Sequence, residues 1–229
     1  MFKDSTIVFD LDGTLVDTAP DLSNALNDVL TRRGHRPVSL ETIRACVGHG
    51  ARIMIEEALR RAGAEDDVDQ MLAEFMVHYE ANIAAESRPF PGAVAALDAF
   101  AAQGAILAVC TNKREQLSRR LLQALGLDRY FSAIAGRDTF PMAKPDPGHL
   151  TGTIQLAGGD PSHAVMIGDS EVDLRTAKAA GIPIILVSFG YATAPLHGLS
   201  PDAMIDHFDA LASHARALLN GVARGRFRG

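Results

Sequence analysis

Short apolar runs rich in β-branched residues recur along this chain at 7–9, 106–110, 133–135, 165–167 and 184–187, and helical periodicity fills most of the intervals. That alternation predicts a parallel, doubly wound α/β sheet of the Rossmann-like kind, with each helix returning the chain to the next strand. The intervening helices carry their own boundary signals. One is expected over 93–102, opened by Pro91-Gly92 and stopped by Gly104, and another over about 114–125, stopped by Gly126. A third runs from Asp169 towards Gly181.

The interval between the first two strands breaks the pattern. Residues 18–87 contain no convincing strand, and apolar spacing of three and four recurs over 19–33, 40–45, 51–62 and 68–85. A simple crossover needs far fewer residues. The expectation is a separate α-helical module, 18–87, inserted in the first crossover of a core made of 1–17 and 88–229. The return through Arg88-Pro89-Phe90-Pro91 is proline-rich and extended, as a domain boundary should be.

With 229 residues, 47% of them hydrophobic, the chain can bury a substantial core. A formal charge of −6 argues against nucleic acid as a partner, and the Arg224, Arg226 and Arg228 tail, interleaved with glycine, reads as a frayed, solvated terminus. No apolar run approaches bilayer length and the N-terminus has no signal-peptide pattern, so a cytoplasmic enzyme without a membrane partner is expected. Cys46 and Cys110 are too few and too scattered for a disulfide framework or a thiolate metal site. Nothing in the sequence fixes an oligomeric state.

Ligands of open α/β sheets collect beyond the carboxyl ends of the strands. Four polar clusters stand there. Asp10-Leu11-Asp12-Gly13-Thr14 follows the first strand, and Thr111-Asn112-Lys113 follows the second. Lys144-Pro145-Asp146-Pro147 sets an ammonium in a proline-bracketed loop, and Gly168-Asp169-Ser170-Glu171-Val172-Asp173 leaves a later strand with Asp169 and Asp173 on one helical face. Each cluster has an ordinary explanation: an Asp-Gly turn, a helix N-cap at Thr111 or Asn112, a surface lysine, acidic helix starts. Together they are harder to set aside. Two carboxylates at about 4 Å repel by roughly 1 kcal/mol in water and about 4 kcal/mol at an effective dielectric near 20, so convergence of Asp10, Asp12, Asp169 and Asp173 requires compensation. A Mg²⁺ ion and Lys144 would supply it, and Thr111 and Asn112 would hold phosphate oxygens.

In these four ordered motifs the sequence resembles the haloacid dehalogenase-like superfamily over nearly its whole length. The resemblance implies that Asp10 attacks phosphorus to form an aspartyl-phosphate and that Asp12 is the acid and base. It also implies Mg²⁺ held by the Asp10 side chain, the Asp12 carbonyl and Asp169, with Lys144 on the phosphate and Asp173 orienting Lys144 or reaching metal-bound water. Dehalogenases of the superfamily lack an aspartate at the second position, so dehalogenation is not expected. The helical insert resembles the superfamily's small cap, where specificity resides. Within it, Val47-Gly48-His49-Gly50-Ala51-Arg52 sets a glycine-flanked loop before a helix, and His49 and Arg52 are the candidate substrate contacts.

The cap sequence is most similar to the phosphoglycolate phosphatase branch, which implies a small phosphorylated metabolite, 2-phosphoglycolate, as substrate. Alternatives are a sugar phosphomutase of the β-phosphoglucomutase type, a phosphatase for another sugar phosphate, nucleotide or pyrophosphate, or a regulatory protein that senses Mg²⁺ and phosphate. The phosphonate hydrolases of the superfamily use a cap lysine, and 18–87 contains none.

Overall fold

The computed structural model describes residues 2–48, 50–192 and 200–225, with 222–225 described by backbone alone. Six strands form one parallel sheet: β1 (Thr6–Phe9), β4 (Ile106–Cys110), β5 (Ala133–Ala135), β6 (Ala164–Gly168), β7 (Ile184–Val187) and β8 (Ala203–Ile205). Their order is β5-β4-β1-β6-β7-β8. Two further strands, β2 (Val16–Asp17) and β3 (Arg88–Pro89), pair antiparallel.

Strand residues alternate between two apolar layers with the period of two that a pleated strand imposes. Ile7, Phe9, Leu107, Val109, Val165 and Ile167 enter one cluster, shared with α5 (Ala93–Ala102), α6 (Glu115–Ala124) and α9 (Leu211–Gly225). Val8, Ala108, Cys110 and Met166 enter the other, against α7 (Pro147–Leu156) and α8 (Glu171–Ala180). The sheet is therefore doubly wound. Strand order reverses beside β1, so the carboxyl ends of β1, β4 and β6 open onto one crevice.

Four helices separate β2 from β3: α1 (Ala19–Arg32), α2 (Leu40–Arg44), α3 (Ala51–Ala62) and α4 (Val68–Ala81). Their buried faces, including Leu26, Leu30, Ile55, Phe75 and Tyr79, continue the first apolar cluster without a break. The two chain crossings between these helices and the sheet are tied together. Buried Asp21 accepts from Glu86 N at 2.9 Å, Ser87 N at 2.8 Å and Ser87 Oγ at 2.6 Å. On the other crossing the Tyr191 hydroxyl donates to Asp17 and accepts from Ala19 N at 3.0 Å.

Three elements differ from the sequence expectation. Helix α7, absent from the sequence expectation, starts at Pro147 just after the loop that carries Lys144, because Pro147 sits in a first turn where its missing N–H costs nothing and Asp146 caps Gly148 N at 2.8 Å. The sixth strand, β8, is only three residues long and pairs with β7 at the sheet edge. Arg224 lies within α9 rather than in a loose terminus, while Arg226 and Arg228 fall outside the described residues. No helix among the described residues is long and apolar enough to cross a membrane.

Candidate active site

Asp10 leaves β1 and Asp169 leaves β6, and these strands are adjacent, so backbone register alone brings the two carboxylates together. With Asp173 from the first turn of α8 they present oxygen atoms within 4.8 Å of one another, all buried. Lys144 reaches this cluster from the loop before α7. Its Nζ lies 2.6 Å from Asp173 Oδ1 and 3.0 Å from Asp10 Oδ1, and its side chain is 2% exposed. Lysine burial would ordinarily depress its proton affinity, but the charges of Asp10 and Asp173 outweigh that and raise it. Lys144 is thus a fixed cation.

The three carboxylates are not equivalent. Asp173 is fully engaged: Oδ1 takes Lys144, and Oδ2 accepts from Ser170 Oγ at 2.6 Å, Ser170 N at 3.1 Å and Asp169 N at 3.3 Å. Asp173 N in turn donates to Ser170 Oγ at 3.3 Å, which makes a capping box that starts α8. Asp169 accepts from Thr14 Oγ1 at 3.1 Å and from Tyr191 N at 2.7 Å, one donor on each oxygen. Asp10 Oδ1 is buried and has no hydrogen-bond donor, since Lys144 approaches it off the hydrogen-bonding direction.

Burial pushes the Asp10 carboxyl up to about 6; Lys144 opposes that shift, and Asp173 and Asp12 add to it. Asp169 is raised well above the carboxylate range by burial and then by Asp173 and Asp10. When all three carboxylates are ionised, two negative charges stand uncompensated by the ammonium. Hard oxygen donors with that charge fit a divalent cation. Gly13 closes the wall on this side: its φ is +84°, and a Cβ there would stand 2.4 Å from Asp169 Oδ2.

Asp12 points elsewhere. Its two oxygens lie 3.1 and 3.3 Å from Lys113 Nζ, and that ammonium also sits 4.7 Å from the ring centroid of Tyr79 on α4. Asp12 therefore contributes no side chain to the acidic cluster and stands one step outside it, 12% exposed. Thr111, at the end of β4, accepts Lys113 N at 3.2 Å and leaves its own hydroxyl hydrogen unused. It does not cap α6, whose N-cap is Arg114. Asn112 donates through Nδ2 to the Lys144 carbonyl at 3.0 Å, so part of its amide serves the lysine loop rather than a ligand.

Of the two cap candidates, His49 lies outside the described residues, and Arg52 is paired with Asp69 in an exposed ion pair between α3 and α4. Sequence reasoning left Lys113, Tyr79, Tyr191 and Thr14 without roles. Only Thr14 carried a local signal, as a hydroxyl two residues beyond Asp12.

His149 is a further buried support. Its Nδ1 accepts Lys144 N at 3.1 Å, so the ring proton sits on Nε2, which donates to Gly136 O at 3.0 Å. Burial, then the charge of Lys144, pulls its proton affinity down to about 4. The unfolded chain therefore binds the proton first as pH falls, and stability supported by neutral His149 is lost between pH about 6.5 and about 4, by about 3 kcal/mol. Urea unfolding of wild type and His149→Gln across that range should show the difference between the two shrinking by this amount on acidification. A difference independent of pH would mean that the ring acts through packing alone.

The comparisons with known proteins agree with this geometry. The family model described as haloacid dehalogenase-like hydrolase matches residues 7–187. A phosphoglycolate phosphatase of Mesorhizobium japonicum is 52% identical over 208 residues, 90% of this chain and 92% of that protein. One of Caulobacter vibrioides is 47% identical, over 89% of this chain and 87% of that protein. A crystal structure described as a predicted phosphoglycolate phosphatase from Haemophilus somnus superposes with a TM-score of 0.87 at 30% identity, covering 93% of this chain and 98% of that one. With its acid cluster at the motif positions and the family pattern spanning most of its length, the chain belongs to the haloacid dehalogenase-like hydrolase family.

Proposed function

We propose that the protein is a Mg²⁺-dependent phosphomonoester hydrolase acting on 2-phosphoglycolate, with 18–87 as a cap domain over a core of 1–17 and 88–229. The observation that carries this reading is the buried Lys144 held between Asp10 and Asp173 beside Asp169. Such an ammonium neutralises phosphate oxygens and keeps the neighbouring carboxylate in place. The identity of the relatives supports the choice of substrate. Both cysteines are free, as suits a reducing cytoplasm.

In this mechanism Asp10, ionised above about pH 6, attacks phosphorus while the bond to the leaving alcohol breaks. Asp12 gives its proton to that oxygen. It then takes a proton from the water that attacks the aspartyl-phosphate, and phosphate leaves as the bond to Asp10 opens. Lys144, Thr111 and Asn112 hold the phosphoryl oxygens, and Lys113 holds Asp12 at the edge of the site. Asp10 and Asp169, with the Asp12 carbonyl, would hold the Mg²⁺, which would supply charge neutralisation at the phosphoryl group.

The test is phosphate release from 2-phosphoglycolate, β-glucose 1-phosphate, a nucleoside monophosphate and pyrophosphate, with EDTA and with Mg²⁺ restored. We expect release to be fastest from 2-phosphoglycolate, to stop in EDTA and to return with Mg²⁺. Undiminished turnover in excess chelator removes the metal. Isomerisation of β-glucose 1-phosphate without net phosphate release assigns a mutase instead.

A further inference from the structure

Between α3, α4 and the carboxyl ends of β4 and β5 lies a cavity of about 590 Å³ that includes Asp12 and Asn112 in its lining. Its helical wall is mostly apolar, with Leu72, Phe75 and Met76. The opposite wall carries Lys113, Arg114 and Arg137, with one carboxylate, Asp138, that accepts Glu115 N at 2.8 Å. Lys113 is taken by Asp12, but the guanidinium groups of Arg114 and Arg137 have no hydrogen bond or ion pair among the described residues.

The fold puts these two arginines side by side. Arg137 N donates to Lys113 O at 2.9 Å, and the β5 loop packs so tightly on the start of α6 that a Cβ on Gly136 would stand 2.1 Å from Glu115 N. Arg137 also reaches across the cavity, because a Cβ on Gly50 would lie 3.4 Å from its Nη1. Gly50 is the N-cap of α3, a twelve-residue helix with no side-chain cap and no acidic residue in its first turn. The free N–H groups there add positive potential to the same corner. The Tyr79 hydroxyl, buried on the cavity wall, has no hydrogen-bond partner. Two guanidinium groups without acceptors of their own, in one cavity with Asp12, match a ligand with a second negative group.

We propose that Arg137, assisted by Arg114, binds the carboxylate of the substrate's leaving group, and that this contact selects phosphomonoesters of short hydroxy acids over phosphomonoesters of neutral alcohols. A guanidinium takes a carboxylate with two parallel hydrogen bonds, which gives direction as well as charge. The proposal rests on the phosphatase reading and refines it: the specificity contact comes from the β5 loop of the core, not from Arg52.

The experiment compares kcat/KM on 2-phosphoglycolate and on 2-hydroxyethyl phosphate, in which an alcohol replaces the carboxylate, for wild type, Arg137→Gln, Arg137→Lys and Arg114→Gln. Wild type should prefer the carboxylate. Arg137→Gln should lose about tenfold or more on 2-phosphoglycolate, mainly through KM, and far less on the hydroxyethyl ester, with Arg137→Lys recovering part of the loss. Arg114→Gln should show a smaller loss of the same kind. Equal losses on both substrates, or a wild-type enzyme without preference, overturn the carboxylate contact and leave the phosphatase reading standing. A wild-type protein that releases no phosphate even from p-nitrophenyl phosphate overturns both.

Discussion

Asp10→Asn should reduce phosphate release by about a thousandfold or more while making the metal-free protein more stable at neutral pH. The loss follows from removing the nucleophile, since an amide oxygen next to Lys144 cannot form an acyl-phosphate that water later opens. The gain follows from burial. Asp10 is held with its carboxyl raised to about 6, whereas an unfolded aspartate titrates near 3.8, so the native state binds the proton more tightly. Stability from that group is complete below pH about 3.8 and is lost as pH rises through about 6, a decrease of about 3 kcal/mol. Asparagine keeps the shape and carries no charge, so the variant escapes this decrease. Urea unfolding in EDTA at pH 4 and pH 7.5 should show the two proteins diverging by up to that amount at the higher pH. Retained turnover removes Asp10 from the nucleophile role, and a variant less stable than wild type at pH 7.5 contradicts the account of its burial. The His149 contribution runs the opposite way over an overlapping range, so the two separate only when each variant is compared with wild type.

Lys144→Met should be the most damaging single change to stability. It removes the one ammonium that faces Asp10 and Asp173 among the described residues and leaves three buried carboxyl groups crowded together. Breaking a buried pair on one side costs about 3–5 kcal/mol, because the remaining charge stays desolvated. Activity should vanish with it. The deficit should shrink at pH 5, where Asp10 takes up a proton and the repulsion falls, and remain full at pH 7.5 in EDTA. An equal deficit at both values would show that the lysine acts through its methylene packing rather than its charge.

The strand ends of the site were legible because their signals are local. Asp10, Thr111 and Asp169 each follow a continuous apolar run, and parallel pairing of adjacent strands does the rest. Asp173 was legible for a similar reason, four residues along a helix from Asp169. What stayed hidden depends on contacts distant in sequence. Lys113 looks like a solvated residue ahead of a helix until Tyr79, from α4, covers it and Asp12 pairs with it. Tyr191 stands in a loop after β7, and nothing near it announces that its N–H holds Asp169 while its hydroxyl joins Asp17. Helix α7 was masked by Pro145, Pro147 and two glycines, whose meaning depends on Pro147 being in the first turn. Strand β8 offers only Ala-Met-Ile, too short for periodicity to register.

The capping box at Ser170 and Asp173 joins two things that are separable in most enzymes. One carboxylate both starts α8 and anchors Lys144, so unwinding a single turn of that helix releases the ammonium from its place. Catalytic competence is then a local folding equilibrium at the head of α8. Heating should extinguish turnover along with amide protection in the first turn of α8, and osmolytes that favour the wound turn should hold activity without touching any group that meets the substrate.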